Sequence, residues 1–189
     1  MVSTTPGGQA TTLDLPAGRY EINPGASRIG FDVQYLKVAR GHGVFTLFAG
    51  EIVVGDPIAE SSVQVTIDAA SVDTINHRRD DHLRSSDFLS MSEYPLIVFQ
   101  SQSVKAGGRR LLVHGDLQIR GVSRPVVLDA AFQGAVVDPW GVERIVFSAG
   151  TTIDRVDWGM TWNFPLDGGG VFVGRTIRID LDVQAARVA

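Results

Sequence analysis

The chain has 189 residues, a formal net charge of −4 and a pI near 5.5, with 44% hydrophobic and 20% charged residues. That balance suits one folded domain with a sizeable core and excludes a disordered chain. It also argues against a nucleic-acid partner, because a phosphate backbone selects a cationic face and no Lys/Arg run here exceeds two residues. The absence of cysteine excludes disulfides, thiolate metal sites and Cys nucleophiles.

Residues 1–17 are rich in Thr, Gly, Pro and Ala, which predicts a flexible N-terminal tail followed by a single domain over 18–189. The first residues lack a basic region and a continuous apolar stretch, so they do not read as a secretory signal. A cytoplasmic protein is the simplest expectation, although a secreted chain relieved of its leader would look the same. No stretch approaches the ~20 consecutive apolar residues of a spanning helix.

From Gly18 onward, short alternating runs are broken by Gly, Pro, Asn and Asp. Strands are expected around 28–38, with Phe31 and Val33, and around 43–55, with Phe45. Residues 61–68 alternate cleanly and place Val63, Val65 and Ile67 on one face. Residues 71–93 break the pattern with dense charge and predict a short helix plus loop near 74–88, capped by Asp73 or Thr74. Strands resume at 96–105 with Phe99, and at 110–120 with Leu111, Val113, Leu117 and Ile119 on one face. Further runs cover 123–136 and 142–155, the latter with Phe147. Gly107-Gly108 and Asp138-Pro139-Trp140-Gly141 supply hairpin turns. Trp158, Trp162 and Phe164 follow the eighth strand. The last run, Val171 to Val183, sets Val173, Ile177, Ile179 and Leu181 on one side.

Period-2 alternation with polar outer faces suits antiparallel sheet, and about eight strands without long helices between them predict an all-β closed barrel or a sandwich. The final 13-residue run alone spans about 43 Å, or roughly 30 Å of height when tilted by ~40°. Such a barrel would be tall.

The charged segment offers the first candidate site. Arg79, His82 and Arg84 could meet an anionic head group, Arg through its planar fork. The alternative is a solvated helix face on which Arg84 pairs with Asp80 and Asp81. Metal ligation is poorly supported, because His77 and His82 are five apart and the sequence contains no H-E-x-x-H. Hydrolytic and cofactor signatures are equally absent: no G-x-S-x-G elbow and no Walker loop occur, and Gly168-Gly169-Gly170 opens onto a strand. Arg175 falls on the apolar phase of the last run. It must serve a ligand, sit at a barrel end, or be turned by a bulge at Gly174. The large aromatics are core filling unless the barrel is too wide to be filled by its own side chains.

Several stretches together resemble the YceI-like family of lipocalin-like proteins. The central one runs Ile67-Asp68-Ala69-Ala70-Ser71-Val72-Asp73-Thr74, then Arg79-Asp80-Asp81-His82-Leu83-Arg84-Ser85-Ser86-Asp87-Phe88. Tyr94-Pro95 and Phe99-Gln100-Ser101 follow it. Gly43-Val44-Phe45, the run Gly115 to Pro125, and Arg155-Val156-Asp157-Trp158-Gly159 support it. The chain departs from the pattern at Tyr35, where the family often has His, at Ile75, where Gly is frequent, and at Leu89, where a second aromatic is usual.

The resemblance implies an elongated antiparallel lipocalin-like barrel of about eight strands, often a homodimer, holding a polyisoprenoid or similar long-chain amphiphile. Its apolar contacts are then expected from Phe31, Val33, Phe45, Val63, Val65, Ile67, Phe88, Phe99, Leu111, Val113, Leu117, Phe147, Trp158, Ile177 and Ile179. Tyr35, Arg79, His82, Arg84 and Arg175 are expected at the head group. The resulting expectation is a lipid carrier without catalysis, cofactor, metal or membrane span. Two other readings compete: an enzyme using Asp80, His82 and Asp87, and a structural barrel filled by its own side chains.

Overall fold

Alternating runs of β-branched and aromatic residues form eleven strands in the computed structural model, which describes residues 13–167 and 169–188. They are β1 (Gly18–Ile22), β2 (Arg28–Tyr35), β3 (Ala39–Phe45), β4 (Phe48–Val54), β5 (Ser62–Asp68) and β6 (Val72–Asp73). After helix α1 (His77–Arg84) come β7 (Leu96–Gly107), β8 (Arg110–Ile119), β9 (Val122–Val137), β10 (Glu143–Asp154) and β11 (Val173–Arg187). Every pairing is antiparallel. β1 bonds to both β4 and β11, which closes the ring β1-β4-β5-β7-β8-β9-β10-β11.

The architecture is therefore a closed barrel of eight strands, three of them interrupted. β11 pairs with β1 through Ala185–Arg187 and with β2 through Val173–Asp182, so β2 continues β1 beyond a break. That break is a 3-10 turn at Pro24–Ala26, where Pro supplies no ladder N–H and the Asn23 side chain accepts from Gly25 N at 3.0 Å. β3 and β4 are likewise two halves of one strand, as are β5 and β6.

One end of the barrel, called upper here, carries the β2–β3 turn, α1 and its flanks, the β8–β9 turn and the 155–172 segment. The lower end carries residues 13–17 and the β4–β5, β7–β8 and β9–β10 turns. Residues 1–12 of the expected tail lie outside the described residues. Its last part is not free of the barrel, since Leu13 and Leu15 pack against the core.

Helix α1 starts later than expected. Asn76 caps it, accepting from Arg79 N at 3.1 Å. Asp73 instead accepts from Ile75 N at 2.8 Å, and Thr74 is bound to Asp80. The expected Asp80–Arg84 pair is not formed either. Asp80 is buried and accepts from Thr74 N at 2.9 Å and Thr74 Oγ1 at 2.5 Å, while Arg84 pairs with Asp81 at 3.2 Å. The buried carboxylate takes two close donors from Thr74, just before the helix, in preference to a partner at the helix surface. Among the described residues no helix is long and apolar enough to cross a membrane.

Candidate ligand cavity

The inward faces of the strands do not meet in the middle. They enclose a cavity of about 410 Å³ that runs from Leu15 and Ile22 near the lower end to Trp162 and Phe172 at the upper mouth. That volume lies within the range of small-molecule sites. Each interior phase can be followed along a strand: Val63, Val65 and Ile67 on β5, and Phe147, Ala149, Thr151 and Ile153 on β10. Two glycines make room for rings that span the wall. A Cβ on Gly43 would lie 2.3 Å from the Phe31 ring, and one on Gly115 would lie 2.6 Å from the Phe99 ring. Phe31 and Gly43 are direct cross-strand partners, so the ring covers backbone that its partner leaves bare.

Fourteen of the fifteen expected apolar residues line this cavity: Phe31, Val33, Phe45, Val63, Val65, Ile67, Phe88, Phe99, Leu111, Val113, Leu117, Phe147, Ile177 and Ile179. Trp158 does not. Its indole is buried in the wall beside β8, where Nε1–H donates to the Leu117 carbonyl at 3.0 Å. A buried indole N–H must find an acceptor, and the Leu117 carbonyl supplies it.

The five expected head-group residues divide. Tyr35, Arg79 and His82 line the cavity at its upper mouth. Arg84 is instead held by the carbonyls of Ala70 and Val72, at 2.8 and 2.9 Å, and ties α1 to the segment before it. Arg175 points outward onto Asp154, with Nε to Oδ2 at 2.9 Å. The cause is a bulge: Val173 pairs with Tyr35 but Ile177 with Val33, so four steps of β11 oppose two of β2. The apolar phase resumes beyond it with Arg175 on the outer side.

At the mouth His82 Nε2–H donates to Asp87 Oδ2 at 2.9 Å, and the ring meets those of Phe88 and Trp162 edge-on, at 5.0 and 4.5 Å. Asp80 does not join that pair, so the Asp80–His82–Asp87 constellation required by the enzyme reading is not assembled. Arg79 donates to Thr74 Oγ1 and to the Thr74 carbonyl, both at 2.7 Å. Among the described residues, no three His, Asp or Glu side chains come together as a metal site.

Sequence reasoning passed over one charged lining residue, Arg155. It is only 2% exposed and lines the cavity beside Phe88. Its Nε donates to the Gly174 carbonyl at 2.9 Å, Nη2 to Val173 at 3.2 Å and Nη1 to Met160. The signal was present: the inward phase of Phe147, Ala149, Thr151 and Ile153 continues by two to Arg155. Trp162 and Phe172, whose ring lies 6.1 Å from Tyr35, carry no such periodic signal because they sit on the irregular 155–172 segment.

A family model described as YceI-like domain matches residues 20–185. The chain belongs to the YceI-like family. UPF0312 protein plu2095 of Photorhabdus laumondii is 40% identical over 156 residues, which cover 81% of this chain and 79% of that one. Among solved structures, the YCEI protein of Campylobacter jejuni aligns at 28% identity with a TM-score of 0.69, over 82% of this chain and 90% of that one. A polyisoprenoid binding domain from Saccharophagus degradans has the same fold at 15% identity, with a TM-score of 0.70 over 92% of this chain and all of that one (100%).

Proposed function

We propose that this YceI-like protein binds one long-chain apolar amphiphile inside the barrel, as a carrier, storage or sequestration protein that performs no chemistry on it. Polyisoprenoids, isoprenoid quinones and fatty-acid-like lipids are the candidate class. The observation that carries the reading is the unfilled interior: an apolar cavity of about 410 Å³ whose charged lining residues gather at one mouth. Burying a five-carbon isoprene unit is worth about 3–4 kcal/mol gross, so a few units offset the cost of association. The cavity's length and mouth then supply selectivity. The polyisoprenoid binding domain of Saccharophagus degradans, which shares this fold, supports the polyisoprenoid option.

In this reading the apolar chain contacts the fourteen lining residues named above, while Tyr35, Arg79 and His82 face the head group. Organic extraction and mass spectrometry of the purified protein should release a long-chain lipid. Prenyl chains of graded length added to delipidated protein should bind more tightly with each unit until the cavity is full, then more weakly. A delipidated protein without affinity for any chain overturns the reading.

A further inference from the structure

Charge reaches the cavity in one sign. Among the described residues no Asp or Glu lines it, whereas Arg79 and Arg155 do. The carboxylates around the mouth are engaged elsewhere. Asp80 is bound to Thr74, Asp81 to Arg84, Asp87 to His82 and Asp154 to Arg175.

Arg155 is therefore a buried cation held by neutral groups. Its three hydrogen bonds go to backbone carbonyls, and among the described residues it makes no salt bridge. A guanidinium has five N–H groups, so one on each Nη is left over after those three bonds. The π-face of Phe88 lies 5.8 Å from its centre and gives only partial compensation. Burial pushes the Arg155 pKa down, against the opposing pull of Asp154. Arg79, on the exposed side of the mouth, shares the neutral partners but not the burial: Nε and Nη2 bond to Thr74, and Nη1 has no hydrogen bond among the described residues. A buried cation without an anionic partner carries an uncompensated desolvation cost. The three carbonyls hold the Arg155 fork in place, so a ligand need not organise it.

We propose that the upper mouth is an anion-selective head-group site, in which Arg155 and Arg79 receive the carboxylate or phosphate of a long-chain amphiphile. The inference rests on the lipid-binding reading above and adds the chemistry of the head. Carboxylate and phosphate share the planar or trigonal oxygens that a guanidinium fork binds in pairs, and both bring the missing counter-charge. An alcohol or amide head would fill the same space and leave both cations unpaired. His82 is already committed to Asp87 and contributes its ring edge to the wall.

The test titrates the delipidated full chain with four ligands of one chain length, bearing carboxylate, monophosphate, primary amide or alcohol heads, at neutral pH. An anionic head should bind about tenfold or more tightly than the neutral ones. A preference for the carboxylate alone points to a fatty acid, and for the phosphate alone to a prenyl phosphate; both support the site. In Arg155→Gln the preference should collapse while affinity for the alcohol is kept, a pattern that a merely structural arginine would not give. If that variant fails to fold, the wild-type series and Arg79→Gln, which should narrow the preference, still decide. Equal affinity for all four heads, or a preference for the neutral ones, overturns the inference and leaves the lipid reading standing. No binding of any of the four overturns the lipid reading itself.

Discussion

The two ends of the barrel set the same pair of groups together and treat them differently. Arg187 lies over the Tyr20 ring at 5.7 Å at the lower end, and Arg155 lies over Phe88 at 5.8 Å at the upper end. Below, Glu143 completes the group: it accepts from Arg187 Nη1 at 2.8 Å and from the Tyr20 hydroxyl. Tyr20, Ile145 and Ala185 are fully buried there. Above, no carboxylate among the described residues bonds to Arg155. Backbone geometry divides the same way. Among the described residues, the non-glycine ones with positive φ are Leu36, Lys37, Ile75, Ser90 and Arg120, all at the upper end, whereas the lower turns place Gly108 and Gly141 in that region. One end is a neutralised, relaxed plug. The other is a charged and strained mouth, which is where function tolerates such costs.

Truncating an aromatic at each end gives the largest contrast. Tyr20→Ala should cost about 3–5 kcal/mol in urea melts of delipidated protein, because it opens a sealed void in packed surroundings. Phe88→Ala should cost about 2 kcal/mol, because its space merges with a cavity already present. Equal losses would remove the distinction between a packed and a hollow end.

The strain difference is tested by swapping the turn chemistry. Ile75 is 97% exposed at φ +60, so Ile75→Gly should stabilise the protein by about 1 kcal/mol through backbone relief alone. Gly141→Ala, at φ +82, should destabilise it by about the same amount. A loss at Ile75→Gly would mean that its side chain serves a contact the free barrel does not reveal.

Mid-barrel, Val65 borders the cavity. Val65→Phe in a filled core would cost about 1–3 kcal/mol by overpacking. Here the apo protein should change by less than about 1 kcal/mol, and the longest prenyl chains should no longer bind.

The smallest effect is electrostatic and confined to the plug. Burial, then the Glu143 carboxylate, pushes the Tyr20 pKa from 10.0 up to about 12. The folded state thus holds the phenolic proton more tightly, a contribution complete below about pH 10 and lost as pH rises toward 12. Glu143 is shifted the other way, held below the ordinary carboxylate range by the Tyr20 hydroxyl and by Arg187. Its contribution is present above that range and disappears as the pH falls through the depressed value. Glu143→Gln should return the tyrosinate titration of Tyr20, followed by ultraviolet absorbance, toward 10.0. An unchanged titration would leave burial alone as the cause.

Much of the barrel is legible in single strands. β5 shows its interior as Val63, Val65 and Ile67 without reference to anything else, since side-chain direction in a strand alternates residue by residue. The 71–93 segment is recognisable by its charge and broken alternation, although its cap is Asn76 and not Asp73 or Thr74. The site was less readable. Arg84 and Arg79 sit on the same short helix, yet one is tied to carbonyls and the other faces the cavity. The phase of β10 carries Arg155 inward, but its carbonyl partners on β11 and at Met160 come from elsewhere in the chain.

What the sequence by itself determined is the alternation, and with it the antiparallel sheet, the inward apolar set and the position of the helical break. Those follow from local geometry, in which each residue's face depends on its neighbours in the chain. Tertiary structure alone decided that the interior stays hollow, that Trp158 leaves it for the Leu117 carbonyl, and that a bulge turns Arg175 out. It also decided that Arg155 is buried with only backbone carbonyls as hydrogen-bond partners among the described residues. Each of these depends on register and on acceptors contributed by residues far away in the chain, such as Leu117 for Trp158 at a separation of 41 positions, and no local pattern encodes them.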